Sequence, residues 1–498
     1  MDIVLDTNNI DDYRKFIIAK SLPRFRCVGS RVEFPDEYAG LMGVEPEKKK
    51  QFTDPSLVKG LFDYQRDIIK FAAKKRKFAI FADCGLGKTI MLLELAKYAR
   101  QQLPSGKRVL ILSPLMVVSQ TIKECQDWYG GSLGVERVVA MDLAKWVHGT
   151  GGIGITNYDA LTDDISQGNI GAVLLDESSM LKSHYGKWGS TCVRIGDGVE
   201  FKWCFTGTPA PNDRIEYANH AVFLDAFPTV NSFLARYFVN KGQTQERWIL
   251  KPHALESFYR DISDWCVFLT NPATYGWKDN CGTIPPINVH VHDIAMTDDQ
   301  SKAVYDLTGE LFMGSAGGIT KRAKLARIGK GDLDGVKIAS LKPAFIQGLV
   351  SEWGSKESTI IWCHFNREQE QMELLFPDAV SIKGETDFDD RESFVEEFKS
   401  GQRKIMISKP KCLGFGLNLQ VATRQVFSGL QDSYESYYQA VKRSNRYGST
   451  QPLNVHIPVT EIERPMIESV LVKAGRVQRD TEEQERIFKQ SGRLKWVF

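Results

Sequence analysis

The residues best equipped for chemistry lie in Ala82-Asp83-Cys84-Gly85-Leu86-Gly87-Lys88-Thr89. The octet follows the apolar run Lys77-Phe78-Ala79-Ile80-Phe81 and precedes a helical pattern opening at Ile90. Strand, glycine-rich turn and helix in that order make a cradle for phosphate. Within the Cys84-Gly85-Leu86-Gly87 turn, the glycines let consecutive backbone N–H groups converge on an anion. The helix starting near Lys88 adds the positive end of its dipole. Lys88 would reach the β- and γ-phosphates of a nucleotide, and the Thr89 hydroxyl would ligate Mg²⁺. Ala82 stands where the usual pattern has its first glycine.

Three further groups suit the same chemistry. The strand-like run Val173-Leu174-Leu175 ends in Asp176-Glu177-Ser178-Ser179. Asp176 would hold Mg²⁺, and Glu177 would polarise the water that attacks the γ-phosphate. Acidic residues and serines also suit the first turn of a helix, but the upstream phosphate loop favours the catalytic reading. Gln65, in the amphipathic helical stretch Leu61–Ile69, has the donor and acceptor that match the N6/N7 edge of adenine. Arg443 and Arg446 are three apart, which places them on one helix face. Their guanidinium groups would stabilise charge on a transferring phosphoryl group, although an isolated pair also reads as a salt-bridged surface.

The elements that position these residues alternate between short apolar runs and helical patterns. Strands are expected at Arg108–Leu112, Arg137–Ala140, Ile153–Thr156, Ala172–Leu175 and Lys202–Phe205, which predicts a parallel sheet covered by helices. Ligands bind at the carboxyl ends of such strands, so their terminal polar residues matter, including Thr206-Gly207-Thr208-Pro209. A second alternating pattern has strands at Thr359–Cys363, Ala379–Ile382, Lys404–Ser408, Gln425–Phe427 and Val455–Val459, without a second phosphate loop. Between the two, residues 225–290 are irregular and rich in aromatics, suiting either an insertion core or a platform against a duplex backbone. Lys321–Arg327 is a basic stretch that suits phosphate contact or a solvated helix face. Gly329–Gly335 reads as a mobile loop.

A chain of 498 residues is too long for one core, and its 42% hydrophobic and 25% charged content is that of a globular protein. Net charge of +2 leaves any nucleic-acid contact to a local basic surface. The start Met1–Asp6 is unlike a secretion signal, and no apolar run approaches the ~20 residues of a membrane span. The nine cysteines form no C-x-x-C pair, which fits a reducing cytoplasm better than zinc or disulfides.

Taken in order, Gln65, residues 82–89, Ser113-Pro114, Thr156-Asn157-Tyr158, Asp176-Glu177, Thr206–Pro209, Gly414–Gln420 and Gln439…Arg443…Arg446 resemble the motif series of superfamily-two helicases and translocases. The variants at 83–89 and 206–209 are similar to the Swi/Snf-like branch, and the chain resembles compact helicase-like proteins of phages and prophages. The resemblance spans residues 56 to 460. It implies an α/β protein with two tandem RecA-like domains: 1–55 a small extension, 56–224 the first domain, 225–340 a mainly helical insertion, 341–460 the second domain, 461–498 a helical extension. ATP and Mg²⁺ would lie in the cleft between the two domains, with Gln65, Lys88, Thr89, Asp176 and Glu177 from the first. Gly416, Asn418, Arg443 and Arg446 would come from the second. DNA, duplex or branched, would touch Ser113, Pro114, Asn157, Lys383 and Gly384. The implied activity is ATP-driven translocation on DNA, in phage replication, recombination or repair within a bacterial cytoplasm, with no membrane partner. An RNA-dependent ATPase and a non-motor, ATP-switched binding protein are the alternatives. Ser178-Ser179 depart from the Ala/Gly-His or Ala-Asp that usually follow the carboxylate pair.

Overall fold

Runs such as Val109-Leu110-Ile111-Leu112 and Val173-Leu174-Leu175 have no polar face to offer water, which selects strands covered on both sides. Both runs are fully buried. The computed structural model describes residues 1–45, 52–163, 165–182, 186–242, 248–279, 284–309, 319–354, 357–413, 417–430, 433–446 and 448–490. The chain divides into two units, one of residues 1–280 with 478 onward, the other of residues 281–477.

The first unit is built on seven parallel strands: β1 (Lys77–Ala82), β2 (Arg108–Ser113), β3 (Val135–Arg137), β4 (Ile153–Asn157), β5 (Ile170–Asp176), β6 (Phe201–Thr206) and β7 (Cys266–Leu269). Their order across the sheet is β7-β1-β6-β5-β2-β4-β3. Adjacent strands lie about 4.8 Å apart. Four neighbours, β1, β6, β5 and β2, therefore deliver the phosphate loop, Thr206, Asp176 and Ser113 to one edge. The helix Lys88–Gln102 springs from that edge directly after Gly87, whose φ of 73° is left-handed. An added Cβ there would sit 2.3 Å from Gln65 Nε2, so this turn requires glycine.

The second unit has six parallel strands: β8 (Ile287–Asp293), β9 (Ser358–Trp362), β10 (Val380–Ile382), β11 (Ile405–Ser408), β12 (Ala422–Phe427) and β13 (Leu453–Val459). Their order is β8-β13-β12-β9-β11-β10. Two parallel-sheet α/β domains are thus present in tandem.

The boundaries differ from the expected ones. Residues 225–340 are not a separate body. β7 pairs with the phosphate-loop strand, Cys266 opposite Ala79, while β8 pairs with β13, Ile287 opposite Leu453. Most of the aromatics, among them Phe233, Tyr237, Phe258, Tyr259, Trp265 and Phe268, are buried in the first core rather than displayed as a platform. Gly329–Gly335 is not a bare loop: it includes the buried Lys330 and the first strand of the hairpin Asp332–Leu333/Val336–Lys337. The expected strand at 137–140 lies earlier, at Val135–Arg137, and Val139 caps the helix Ala140–His148. The N-terminal 45 residues form a small three-stranded sheet and a helix around Leu5, Leu22, Val32, Phe34 and Met42. Arg24 fastens them to the rest of the first unit through Asp264. The helix Arg464–Gln490 starts in the second unit, and its residues from Gln478 belong to the first. Among the described residues, no helix is long and apolar enough to cross a membrane.

Candidate nucleotide-binding site

Lys88 is the first residue of its helix, and its side chain turns back over the loop. Nζ donates to the Ala82 carbonyl at 2.8 Å and the Asp83 carbonyl at 3.2 Å. Both partners are neutral, so an incoming phosphate would offer the ammonium a stronger, charge-assisted contact. Gly85 and Gly87 both have positive φ, and Cys84, Gly85, Gly87, Lys88 and Thr89 are half-buried, with Leu86 buried beneath them. The Gly207 position lies over this loop: a Cβ there would be 3.4 Å from the Ala82 carbonyl and 3.8 Å from Lys88 Nζ.

Asp176 ends β5 and is buried. Oδ2 accepts from the Ser113 hydroxyl at 2.9 Å, Oδ1 from the Glu177 N–H at 3.0 Å, and its carbonyl from Tyr158 Oη at 2.7 Å. Burial raises its pKa, against the pull of Ser113, Lys88 and the Glu177 N–H. A buried carboxylate fixed by a hydroxyl and facing an ammonium is a preorganised hard-oxygen ligand. Asp176 and Thr89 could supply the one or two protein oxygens that Mg²⁺ takes when phosphates and water complete its shell. Glu177 is left-handed at φ 47°, ψ 53°. Its Oε1 accepts from Thr206 Oγ1 at 3.0 Å and Ser179 Oγ at 3.4 Å. A non-glycine residue in this region is costly, and such outliers gather at functional sites.

Gln65 packs against the loop but its amide has local work. Oε1 caps its own helix by accepting from the Phe62 N–H at 2.9 Å, and Nε2 approaches the Leu86 carbonyl at 3.4 Å. Ser113 and Pro114, expected at the nucleic acid, are buried, and the Ser113 hydroxyl is aimed inward at Asp176. A strand-terminal hydroxyl reads the same in sequence whether it faces in or out. Asn157 is half-buried, and its side-chain oxygen caps the following turn at Ala160. Lys383 pairs with Glu373 at 3.0 Å, and the exposed Gly384 accepts from Arg391.

In the second unit the helix Tyr434–Val441 ends before the arginines, so Arg443 and Arg446 do not share a helix face. The chain tightens there: the N–H groups of Arg443 and Ser444 reach only three residues back, to Ala440 and Val441. Arg443 is buried, and its carbonyl accepts from the Leu419 N–H at 2.9 Å. This brings Asn418, exposed in its own short turn, into the same neighbourhood as Arg443. Gly416 lies outside the described residues.

A family model described as the SNF2-related domain matches residues 64–328, more than half of the chain. The chain belongs to the SNF2-related family. A second model, the helicase conserved C-terminal domain, matches residues 341–448 of this SNF2-related protein. It is similar to the putative protein p41 of Acyrthosiphon pisum secondary endosymbiont phage 1, 22% identical, over 79% of this chain and 91% of that one. It is also similar to the Drosophila melanogaster SWI/SNF-related matrix-associated actin-dependent regulator of chromatin subfamily A-like protein 1, 23% identical, over 80% of this chain and 53% of that one. The mouse DNA annealing helicase and endonuclease ZRANB3 is 26% identical over 42% of this chain and 20% of its own length. The SNF2-related chain therefore spans nearly all of the phage relative but about half or less of these animal ones.

Sequence reasoning missed His220. It is buried, with Nε2 3.0 Å from Ser178 Oγ, and it joins the carboxylate loop from 42 positions away. No local pattern signals it.

Proposed function

We propose that this protein is an ATP-dependent DNA translocase of the helicase class, which couples ATP hydrolysis to movement on duplex or branched DNA. The observation that carries the reading is the convergence, on three neighbouring strand ends, of Lys88, Asp176, Glu177 and Thr206, with Glu177 held by Thr206 at 3.0 Å. Lys88 and the loop N–H groups bind and orient the phosphates. Thr89 and Asp176 hold Mg²⁺, which when bound neutralises charge on the β- and γ-phosphates. Glu177 takes the proton of the attacking water, with Thr206 fixing its carboxylate. Family membership and the printed name of ZRANB3 support DNA as the track. The similarity to a phage protein supports a role in phage DNA replication, recombination or repair in a bacterial cytoplasm.

The test is steady-state ATP hydrolysis by the purified protein, alone and with duplex, forked or single-stranded DNA or RNA. Stimulation by duplex or forked DNA is expected, with turnover falling about 10³-fold in Glu177→Gln while nucleotide binding persists. Stimulation by RNA alone would replace DNA with RNA as the track. Biological activity unchanged in Glu177→Gln would leave a nucleotide-switched binding protein.

A further inference from the structure

Two loops flank the strained Glu177, and one short element holds both. The helix Tyr217–Phe223 follows a single 3-10 turn, Arg214–Glu216, directly after the Thr206–Asn212 loop. The Glu216 carboxylate accepts from both the backbone N–H and the side-chain amide of Asn212, each at 2.9 Å, and so pins the loop that carries Thr206. One turn later His220 reaches Ser178, the residue immediately after Glu177, and Asn219 Nδ2 donates to the Leu181 carbonyl at 2.7 Å.

The contact is closed to water on every side. The His220 ring is fully buried, edge-on to Phe81 with centroids 5.3 Å apart, and burial lowers its pKa to about 4. Nδ1 lies 3.4 Å from the Glu216 carbonyl, and Nε2 lies 3.0 Å from Ser178 Oγ, so both ring nitrogens have a partner. The ring and the Ser178 hydroxyl share one hydrogen bond, and the Cys204 thiol lies beside the same hydroxyl. Ser178 is itself fully buried and has no water to turn to.

We propose that His220, acting through Ser178, is a positioning residue that holds Glu177 in its left-handed conformation and its carboxylate against Thr206. The inference rests on the reading of Glu177 as the residue that activates water. Asp176 is anchored on one side of Glu177 by Ser113 and Tyr158, and Ser178 is anchored on the other by His220. With both neighbours fixed, the backbone cannot relax to negative φ, which would swing the carboxylate away from Thr206.

The experiment is DNA-stimulated ATP turnover in His220→Leu, His220→Gln, Ser178→Ala and the Leu/Ala double variant, each with its melting temperature. His220→Leu and Ser178→Ala should each lower kcat about tenfold and leave KM for ATP unchanged. The double variant should lose no more than the worse single one, because both remove one bond. His220→Gln, whose side-chain amide can accept from or donate to the hydroxyl, should recover most of kcat. Unchanged kcat in both single variants, additive losses, or no recovery in His220→Gln would overturn the inference. Should His220→Leu not fold, Ser178→Ala, which removes one hydroxyl, carries the same decision. Turnover that survives Glu177→Gln overturns the reading of the site and this inference with it. A dead Glu177→Gln beside silent His220 and Ser178 variants overturns this inference alone.

Discussion

Both sheets carry polar side chains at their carboxyl edges, but the two edges are wired differently. At the first, the Lys88 ammonium rests on two neutral carbonyls, and Asp176 and Glu177 are held by hydroxyls and an N–H. At the second, Glu463 is buried between two buried ammonium groups: Lys330, 3.1 Å away, and Lys342, which also donates to the Ser428 carbonyl at 2.9 Å. Burial alone would raise the Glu463 carboxyl, but Lys342 and Lys330 hold it down to about 2. Neutral partners yield to an anion with little cost, whereas a closed triad of full charges does not. The same architecture thus leaves one edge held by neutral contacts and uses the other to hold its own elements together. Through this triad, residues 326–342, the end of β12 and the start of the last helix are joined.

The comparison breaks first at the nucleotide. Lys88→Ala should abolish both nucleotide binding and turnover, a loss of about 10³-fold or more in kcat. Arg446→Ala should lower turnover by a similar ~10³-fold and leave nucleotide binding largely intact. Equilibrium binding of a fluorescent ATP analogue, set beside turnover, separates the two; a collapse of binding in Arg446→Ala would sink the division of labour. Next comes stability. Glu463→Ala strands two buried ammonium groups and should destabilise the second unit by about 3–5 kcal/mol, measured by denaturant unfolding with hydrogen exchange to assign the loss to β12 and β13. A change under about 1 kcal/mol would mean that water or a backbone shift satisfies both lysines.

The smallest expected effect sharpens the contrast through pH. In the second unit His292, His364 and His456 have lowered pKa values, His456 to about 4 and His364 to about 3; in the first unit His220 alone is lowered among the described residues. For His456, burial and then His290, His292 and Arg424 disfavour the cation. Its neutral form is favoured only when folded, so its contribution is full above the ordinary value near 6.5 and is lost as pH falls towards 4. The second sheet should therefore soften before the first on acidification. His456→Gln, which removes this titration, should melt closer to the parent at pH 5 than at pH 7.5. A constant gap between the two would show that His456 does not titrate in that window.

Much of this was legible in the sequence because the signals were local. The phosphate loop, the carboxylate pair at a strand end and ten of the strands announce themselves in runs of a few residues, and all fall on the two sheets. What stayed hidden depends on distance or direction. Ser113 ends its strand as a DNA-facing residue would, yet the neighbouring strand places Asp176 within its reach. β7 is four apolar residues among aromatics, and β8 alternates valine with histidine because it is an edge strand paired on one side only. Arg443 and Arg446 keep helical spacing although the helix has already tightened and ended. His220 meets Ser178 only because a helix folds back beneath the sheet edge.

The first unit is sewn shut by the last described stretch of the chain. Arg214 pairs with Asp480 at 2.5 Å, Tyr217 accepts from Gln484 at 3.0 Å, Glu485 takes the Thr270 N–H at 2.8 Å, and Ile487 and Phe488 are buried. All of residues 281–477 are made in between. On the ribosome, then, the phosphate loop and its sheet emerge early, but the helix that bears His220 stays without its cover until synthesis is almost over. The long loop adds little to the equilibrium cost, because closure entropy grows only with the logarithm of length. Its consequence is one of timing: a nascent first unit waits with an apolar seam open, and a ribosome that stalls within the second unit releases a chain that has Lys88, Asp176 and Glu177 but lacks the cover over Tyr217 and Arg214.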